Sequence, residues 1–524
     1  MKKQILTLST ILFLAFTVKA QTQSATLDYN NTSVGILNGG DFFWDLNSSK
    51  HQVPKANGGN PKSTIFCGTL WLGAQEEDGT KHLSAMTYRQ RGQDFWPGPH
   101  SNDTPATRSK FDKIYEVSAA EVAAHKMNSS SPTAAILDWP GNGDTTIGEP
   151  FQLAPFIDIN SNGVYEPTLG DYPKIKGTGA TYCIYSDQGM HSESGGRAIG
   201  VDVHQLFYQD VAMGMEEVNL ASFTVINRSD TSYDKFKFGI YVDFDLGNYA
   251  DDYVGSDSST NMIYAYNGDD NDEGVLGYGL NPPAQNMMFL NTNLGAAIYY
   301  NNNASPINGN PSTASDFYNY LDAKWRNGTD IEYGGNGITG TTGTKTSYMY
   351  SGDPIASSGW TEGGSGNLPA DRRMLAVAKE TPLAVGEVKC YEIAFVYGRA
   401  TSGGPTASIS EMKSKATTVQ AAYDANTYGW KSENCSLGAQ EEDKTAGIFT
   451  RKTTEATFSI YPNPSTGIYN IKNLPTVSTM QITDTQGRVI KDLDPKETTI
   501  NISELSEGVY FLKTDKGSLR LLKI

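Results

Sequence analysis

Histidine, cysteine and charge are scarce in this 524-residue chain, which has 6 His, 4 Cys and only 19% charged residues. Positive charge is the scarcer sign: 41 Lys+Arg stand against 58 Asp+Glu, for a net charge of −17. Phosphate backbones need a basic footprint, so the composition excludes a nucleic-acid partner. It disfavours anionic membrane surfaces for the same reason. The four Cys are spaced too widely for a zinc knuckle. Beyond the first 20 residues no run of about 18 apolar residues occurs, so the mature chain is expected to have no transmembrane segment. Catalytic signatures are missing too: there is no His-Glu-x-x-His, no Gly-x-Ser-x-Gly and no Walker-type loop. Ser410-Glu-Met-Lys413 fits Ser-x-x-Lys in form, but it lies in an amphipathic stretch without the accompanying motifs. The six His are scattered and read as core or surface residues.

What is present is apolar and turn-rich. Hydrophobic residues make up 38% and aromatics 11%, with 29 Tyr, enough to build cores and to exclude wholesale disorder. The 53 Gly, with many Asn, Thr and Ser, point to turns and strands rather than long helices. The length calls for more than one domain. Residues 1–20 read as a signal peptide, with Lys2 and Lys3 as the charged start, Ile5 to Val18 as the apolar region and Ala20 at the cut. No Cys follows the cut, so lipid anchoring is not expected.

The fold class read from these patterns is mainly β. A β-sandwich-type body, in two halves, carries one or two short helices, and a small seven-stranded Ig-like sandwich ends the chain. Ser118 with Glu121 predicts a capping box opening a helix to Met127, and Ser408 with Glu411 predicts the same for a helix to Tyr423. The expected divisions are 21–205 and 206–437 for the two halves, 438–455 for a polar linker and 456–524 for the terminal module. In an exported chain Cys67, Cys183, Cys390 and Cys435 can form two disulfides in any of three pairings, or stay as buried thiols.

The terminal module has short apolar runs at 8–12-residue spacing, the pattern of a β-sandwich. It holds eight basic and seven acidic residues, so the acidity belongs to the body. Its motifs are Tyr461-Pro462-Asn463-Pro464 with Gly467, then Asp484 with Gly487, then Gly508 with Tyr510, and a Lys-bearing end. These resemble the type A C-terminal sorting domain of type IX secretion cargo in Bacteroidota. The resemblance implies a partner, the type IX secretion machinery, and a destination outside the outer membrane. There the body is released or attached to surface lipopolysaccharide. The body is similar to a large group of proteins with the same tail. The matching pieces are Trp96-Pro-Gly-Pro, Asp158 to Pro167, Gly170-Asp-Tyr-Pro, Asp243-Phe-Asp-Leu-Gly, Asp251-Asp-Tyr-Val-Gly and Asp371-Arg-Arg. That group brings a location and no established activity.

Two acidic loops carry the chemistry. In the first, Asp158, Asn160 and Asn162 place oxygen at positions 1, 3 and 5, and Gly163 permits the turn that offers the Val164 carbonyl. Leu169 stands where an EF-hand has its Glu, so this is a non-EF-hand Ca2+ loop closed by Glu166 or Asp171. The alternative is an Asn/Gly turn capped by its own side chains. The second loop holds Asp243, Asp245, Asp251, Asp252 and Asp257. From Phe238 to Ala323 the chain has eleven acids and no Lys, Arg or His. Crowded carboxylates repel unless solvated, protonated or neutralised, which makes a hard divalent ion attractive, unless basic residues arrive from elsewhere in the fold. Trp71, Trp96, Trp139, Trp360 and Trp430 are candidates for stacking on sugars. The resulting expectation is a secreted, calcium-stabilised, non-enzymatic adhesion, matrix or glycan-binding component. The alternative is a secreted hydrolase acting on polysaccharide.

Overall fold

The computed structural model describes residues 23–440 except 57–59, 90–91, 101–103, 339–342, 432–434 and 436, and residues 458–524 except 475, 485–487 and 515–516. The expected signal peptide and most of the expected linker lie outside the described residues. The chain divides into two compact units, Met1–Glu442 and Asp443–Ile524.

In the first unit a ten-stranded and a nine-stranded sheet share one core. The centre of the first sheet runs Ser63–Gln75, Tyr233–Phe244, Arg372–Ala378, Leu294–Asn301, all antiparallel. The spine of the second runs Ala284–Phe289, Val388–Gly398, Val218–Asn227, Val201–Gln209, Gly179–Ser186. Aromatic residues join the two sheets. Phe238 of the first stacks on Tyr391 of the second with ring centres 3.9 Å apart, and Phe42 lies 4.9 Å from Phe207 and 5.8 Å from Phe395.

The second sheet is covered on its other face as well. The helix Gly404–Asp424 buries Ile409, Met412, Ala416, Val419 and Tyr423, a stripe at alternating steps of three and four, against Ala394, Val396 and Met288. This double burial explains why Val201–Gln209 has no exposed residue, although Asp202, His204, Gln205 and Gln209 stand among its apolar side chains.

The division expected at 205/206 falls inside the strand Val201–Gln209, and the sheets take strands from both sides of it. The apolar segments there form the middle of a sheet and not a seam. The helix Ala119–Met127 opens on the Ser118–Glu121 capping box as expected. The late helix starts four residues before the expected Ser408, because Pro405 takes its first turn, where no N–H is needed. Ser408 is buried inside it and its hydroxyl accepts from the Ala400 amide. Further helices, Pro105–Phe111, Ala134–Leu137 and Ala314–Leu321, exceed the one or two expected. Of the possible disulfides, Cys390 is bonded to Cys435, with Cα atoms 5.5 Å apart, while Cys67 and Cys183 are buried thiols.

The second unit is a small sandwich of seven strands. Ser459–Tyr461, Ile468–Lys472 and Thr499–Asn501 form one sheet. Val489–Asp492, Met480–Thr483, Gly508–Thr514 and Gly517–Lys523 form the other. Phe458, Tyr469, Ile482, Ile500, Leu512 and Leu521 fill its core. No helix among the described residues is long and apolar enough to cross a membrane.

Candidate metal centre

Strand pairing assembles the site. Asp243 lies opposite Arg373, and Phe244 opposite Arg372, in the antiparallel ladder between Tyr233–Phe244 and Arg372–Ala378. Side chains alternate along strands, so residues two apart share a face. Asp245 lies just past the end of the first strand, two residues after Asp243, and Asp371 just before the start of the second, two residues before Arg373. One carboxylate oxygen from each of Asp243, Asp245 and Asp371 lies within 4.8 Å of the other two, the single such acidic group of three found among the described residues.

The surrounding bonds leave the group under-neutralised. Arg373 donates from Nη1 to Asp371 Oδ1 at 2.7 Å and from Nη2 to Asp243 Oδ2 at 3.4 Å. The Tyr88 hydroxyl donates to Asp243 Oδ2 at 2.9 Å and itself accepts from Arg373 Nε. Asp243 is only 2% exposed, and its Oδ1 is buried with no hydrogen-bond partner. Among the described residues one guanidinium thus faces three carboxylates. Burial pushes the Asp243 carboxyl up to about 7 despite Arg373. Burial, then Asp243 and Asp371, push Asp245 well above the usual carboxylate range. A buried acceptor without a donor costs on the order of 1–3 kcal/mol. A proton or a hard cation relieves that cost, and oxygen donors alone are the set that Ca2+ takes.

The other acids of this stretch go elsewhere. Asp257 pairs with Lys413 of the late helix at 2.8 Å, a base that arrives from a distant part of the chain. Asp252 accepts the Leu246 amide on Oδ2 and is raised by burial, and Asp251 accepts from Asn248. Asp371 was missed as a ligand because only its register opposite the Asp243 strand brings it near; the signal was the acid directly before the Arg-Arg strand.

The first loop closes on itself. It joins Phe156–Ile157 to Tyr172–Pro173, so Asp158 and Asp171 flank paired residues. Asp158 accepts the amides of Asn162 and Gly163 at 3.3 and 2.7 Å. Asn160 accepts from the Asn162 amide, and Asn162 from the Val164 amide. Asp171 accepts from the amides of Ile159 and Glu166, and Glu166 accepts the Asn162 carboxamide. Gly163 has φ +77°, the left-handed turn that its position requires. All four carboxylate oxygens of Asp158 and Asp171 therefore already hold a backbone N–H.

The tryptophans are not a stacking strip. Trp71, Trp139, Trp360 and Trp430 are core residues, and Trp96 carries the Arg108 guanidinium 3.7 Å above its ring.

In the second unit the motif residues build turns. Asn463 donates to the Arg520 carbonyl and accepts from the Leu522 amide, pinning its loop to the last strand. Gly467 has φ +125°, and a Cβ there would meet Ser503 Cα at 2.6 Å. Asp484 accepts from the Arg488 amide and guanidinium, and the Tyr510 hydroxyl donates to the Ser506 carbonyl. Tyr461, Pro462, Pro464 and Gly508 lie on the same small sandwich, while Gly487 lies outside the described residues. Residues 459–523 match the secretion system C-terminal sorting domain. The chain is thus a type IX secretion substrate, and export by that route makes it secreted or attached to the cell surface. A comparison with curated proteins finds no match. A solved polysaccharide lyase is similar at a TM-score of 0.19 and 6% identity, covering 62% of this chain and 34% of its own; a likeness of that size carries no argument.

Proposed function

We propose that this sorting-tail protein is an extracellular β-sandwich stabilised by calcium, which acts by binding as an adhesion, matrix or glycan-binding component. The observation that carries the cation is the orphaned, buried Asp243 Oδ1 within the Asp243–Asp245–Asp371 group. Ca2+ there would replace the missing donor and tie the end of one central strand to the start of its neighbour. The first loop enters the same reading with Asp158, Asn160, Asn162, the Val164 carbonyl, Glu166 and Asp171 as its oxygens. The alternative is a secreted hydrolase acting on polysaccharide, which calls for two carboxylates flanking one cleft. After export the body would remain on surface lipopolysaccharide or be released.

The test is thermal unfolding of the mature chain, residues 21–524, in EDTA and in millimolar Ca2+. An ion that binds only the folded form raises the melting temperature with concentration. The expected result is a rise of several degrees, mostly lost in Asp245→Asn; Asp158→Ala reports separately on the first loop. Equal melting temperatures in EDTA and Ca2+ would remove calcium from the function.

A further inference from the structure

An open cleft of about 440 Å3 lies where the strand Leu294–Asn301 ends beside Asp371. Its lining is dominated by carboxamides: Asn301, Asn302, Asn303, Asn308, Asn336 and Asn367. The charged residues in it are already engaged. Arg372 donates to the buried Glu362 at 2.7 Å and to the Leu368 carbonyl. Asp371, the cleft's one carboxylate, holds Arg373 and the Asn302 carboxamide.

Internal bonds fix which way the amides face. Asn301 Oδ1 accepts from Arg372, Asn303 Oδ1 from the Ser305 amide and Asn336 Oδ1 from the Ile338 amide. Their three NH2 groups have no bond among the described residues. Asn308 and Asn367 spend their NH2 groups on the hydroxyls of Tyr299 and Tyr350, which leaves their carbonyl oxygens as acceptors. Leu368, 82% exposed, supplies an apolar rim.

We infer that this cleft binds a neutral carbohydrate. A sugar hydroxyl donates and accepts at once, so it suits a wall of fixed NH2 donors and C=O acceptors, and C–H faces of the ring suit Leu368. No cation is free among the described lining residues, and the Asp371 carboxylate would repel a phosphate or carboxylate ligand. The volume falls in the range of ligand sites, which are concave and hold a few well-placed polar groups. Orientation by internal bonds means that little side-chain freedom is lost on binding. The inference rests on the binding reading above and names its ligand class; the cation is not needed for it.

Affinity electrophoresis of the full mature chain tests it, in gels containing mannan, dextran, xylan or mixed-linkage β-glucan, with polygalacturonate as the acidic counterpart. Each gel is run in EDTA and in Ca2+. Retardation is expected in at least one neutral gel in both conditions. It should weaken at least fivefold in Asn308→Ala and in Leu368→Asp. Leu368 is too exposed to hold the fold, so its variant decides even if Asn308→Ala unfolds. No retardation in any neutral gel, preference for polygalacturonate, or unchanged retardation in Leu368→Asp overturns the inference. Retardation that is present while the melting temperature ignores Ca2+ removes the cation and keeps the sugar site.

Discussion

His51 and His204 stay neutral because their surroundings give a second proton no place. His51 is buried, accepts on Nε2 from the Asn219 carboxamide and faces Thr64 Oγ1 with Nδ1 at 2.9 Å. His204 meets the Tyr182 hydroxyl with Nδ1, and its Nε2 is buried without a partner. Burial lowers each from the ordinary 6.5 to about 3. Below 6.5 the unfolded chain takes up protons that the folded chain refuses. Stability from these groups is therefore lost as pH falls from 6.5 toward 3. At pH 5 that is roughly 2 kcal/mol for each residue, at about 1.4 kcal/mol per pKa unit. Asp243, raised to about 7, works in the opposite direction over pH 7 to 4, and it is common to variant and parent, so it cancels in their difference. Urea unfolding at pH 7 and pH 5 should show His51→Gln losing about 2 kcal/mol less than the parent. Equal losses would show that His51 does not carry the acid sensitivity.

Elements meet through Gly398 where the late helix crosses its strand. A Cβ at Gly398 would lie 2.3 Å from Met412 N and 2.4 Å from Met412 Cα, helix backbone that cannot rotate aside. Gly398→Ala must push the helix from the sheet, and overpacking of this kind costs roughly 1–3 kcal/mol. Chemical denaturation should read that loss; a change below about 0.5 kcal/mol would mean that the helix floats. The same helix shows what local signals can and cannot give. Ser-x-x-Glu marks a true capping box at Ser118, where the chain does leave a strand. At Ser408 the identical spacing lies inside a helix already begun by Pro405, and the hydroxyl serves the Ala400 amide. The short helix Ala314–Leu321 had a readable start in Thr313 and Asp316, a capping box with Asp for Glu. The tail strands were legible because turn residues bracket each of them. The acidic triad was not, since Asp371 reaches Asp243 only through a non-local ladder.

At the scale of the molecule, two units with separate cores perform separate tasks. Among the described residues the body cores contain none beyond Trp430, with Ala439 packed at their edge. The tail packs Phe458 to Leu521 into a core of its own. A sorting module with its own core can be read by the export machinery without help from the body's sheets, and among the described residues none of the tail belongs to the body's cores. Deleting residues 443–524 should therefore leave the melting temperature of the body, and its response to Ca2+, as in the full chain, while export stops after the first membrane. Fractionation of cells that use this secretion route separates the two effects. The full chain should appear in the medium or on the surface and the truncated chain in the periplasm, folded and resistant to mild proteolysis. A truncated chain that still reaches the medium would show that the body carries its own export information, and the turns built by Asn463, Gly467 and Asp484 would then be structural features alone.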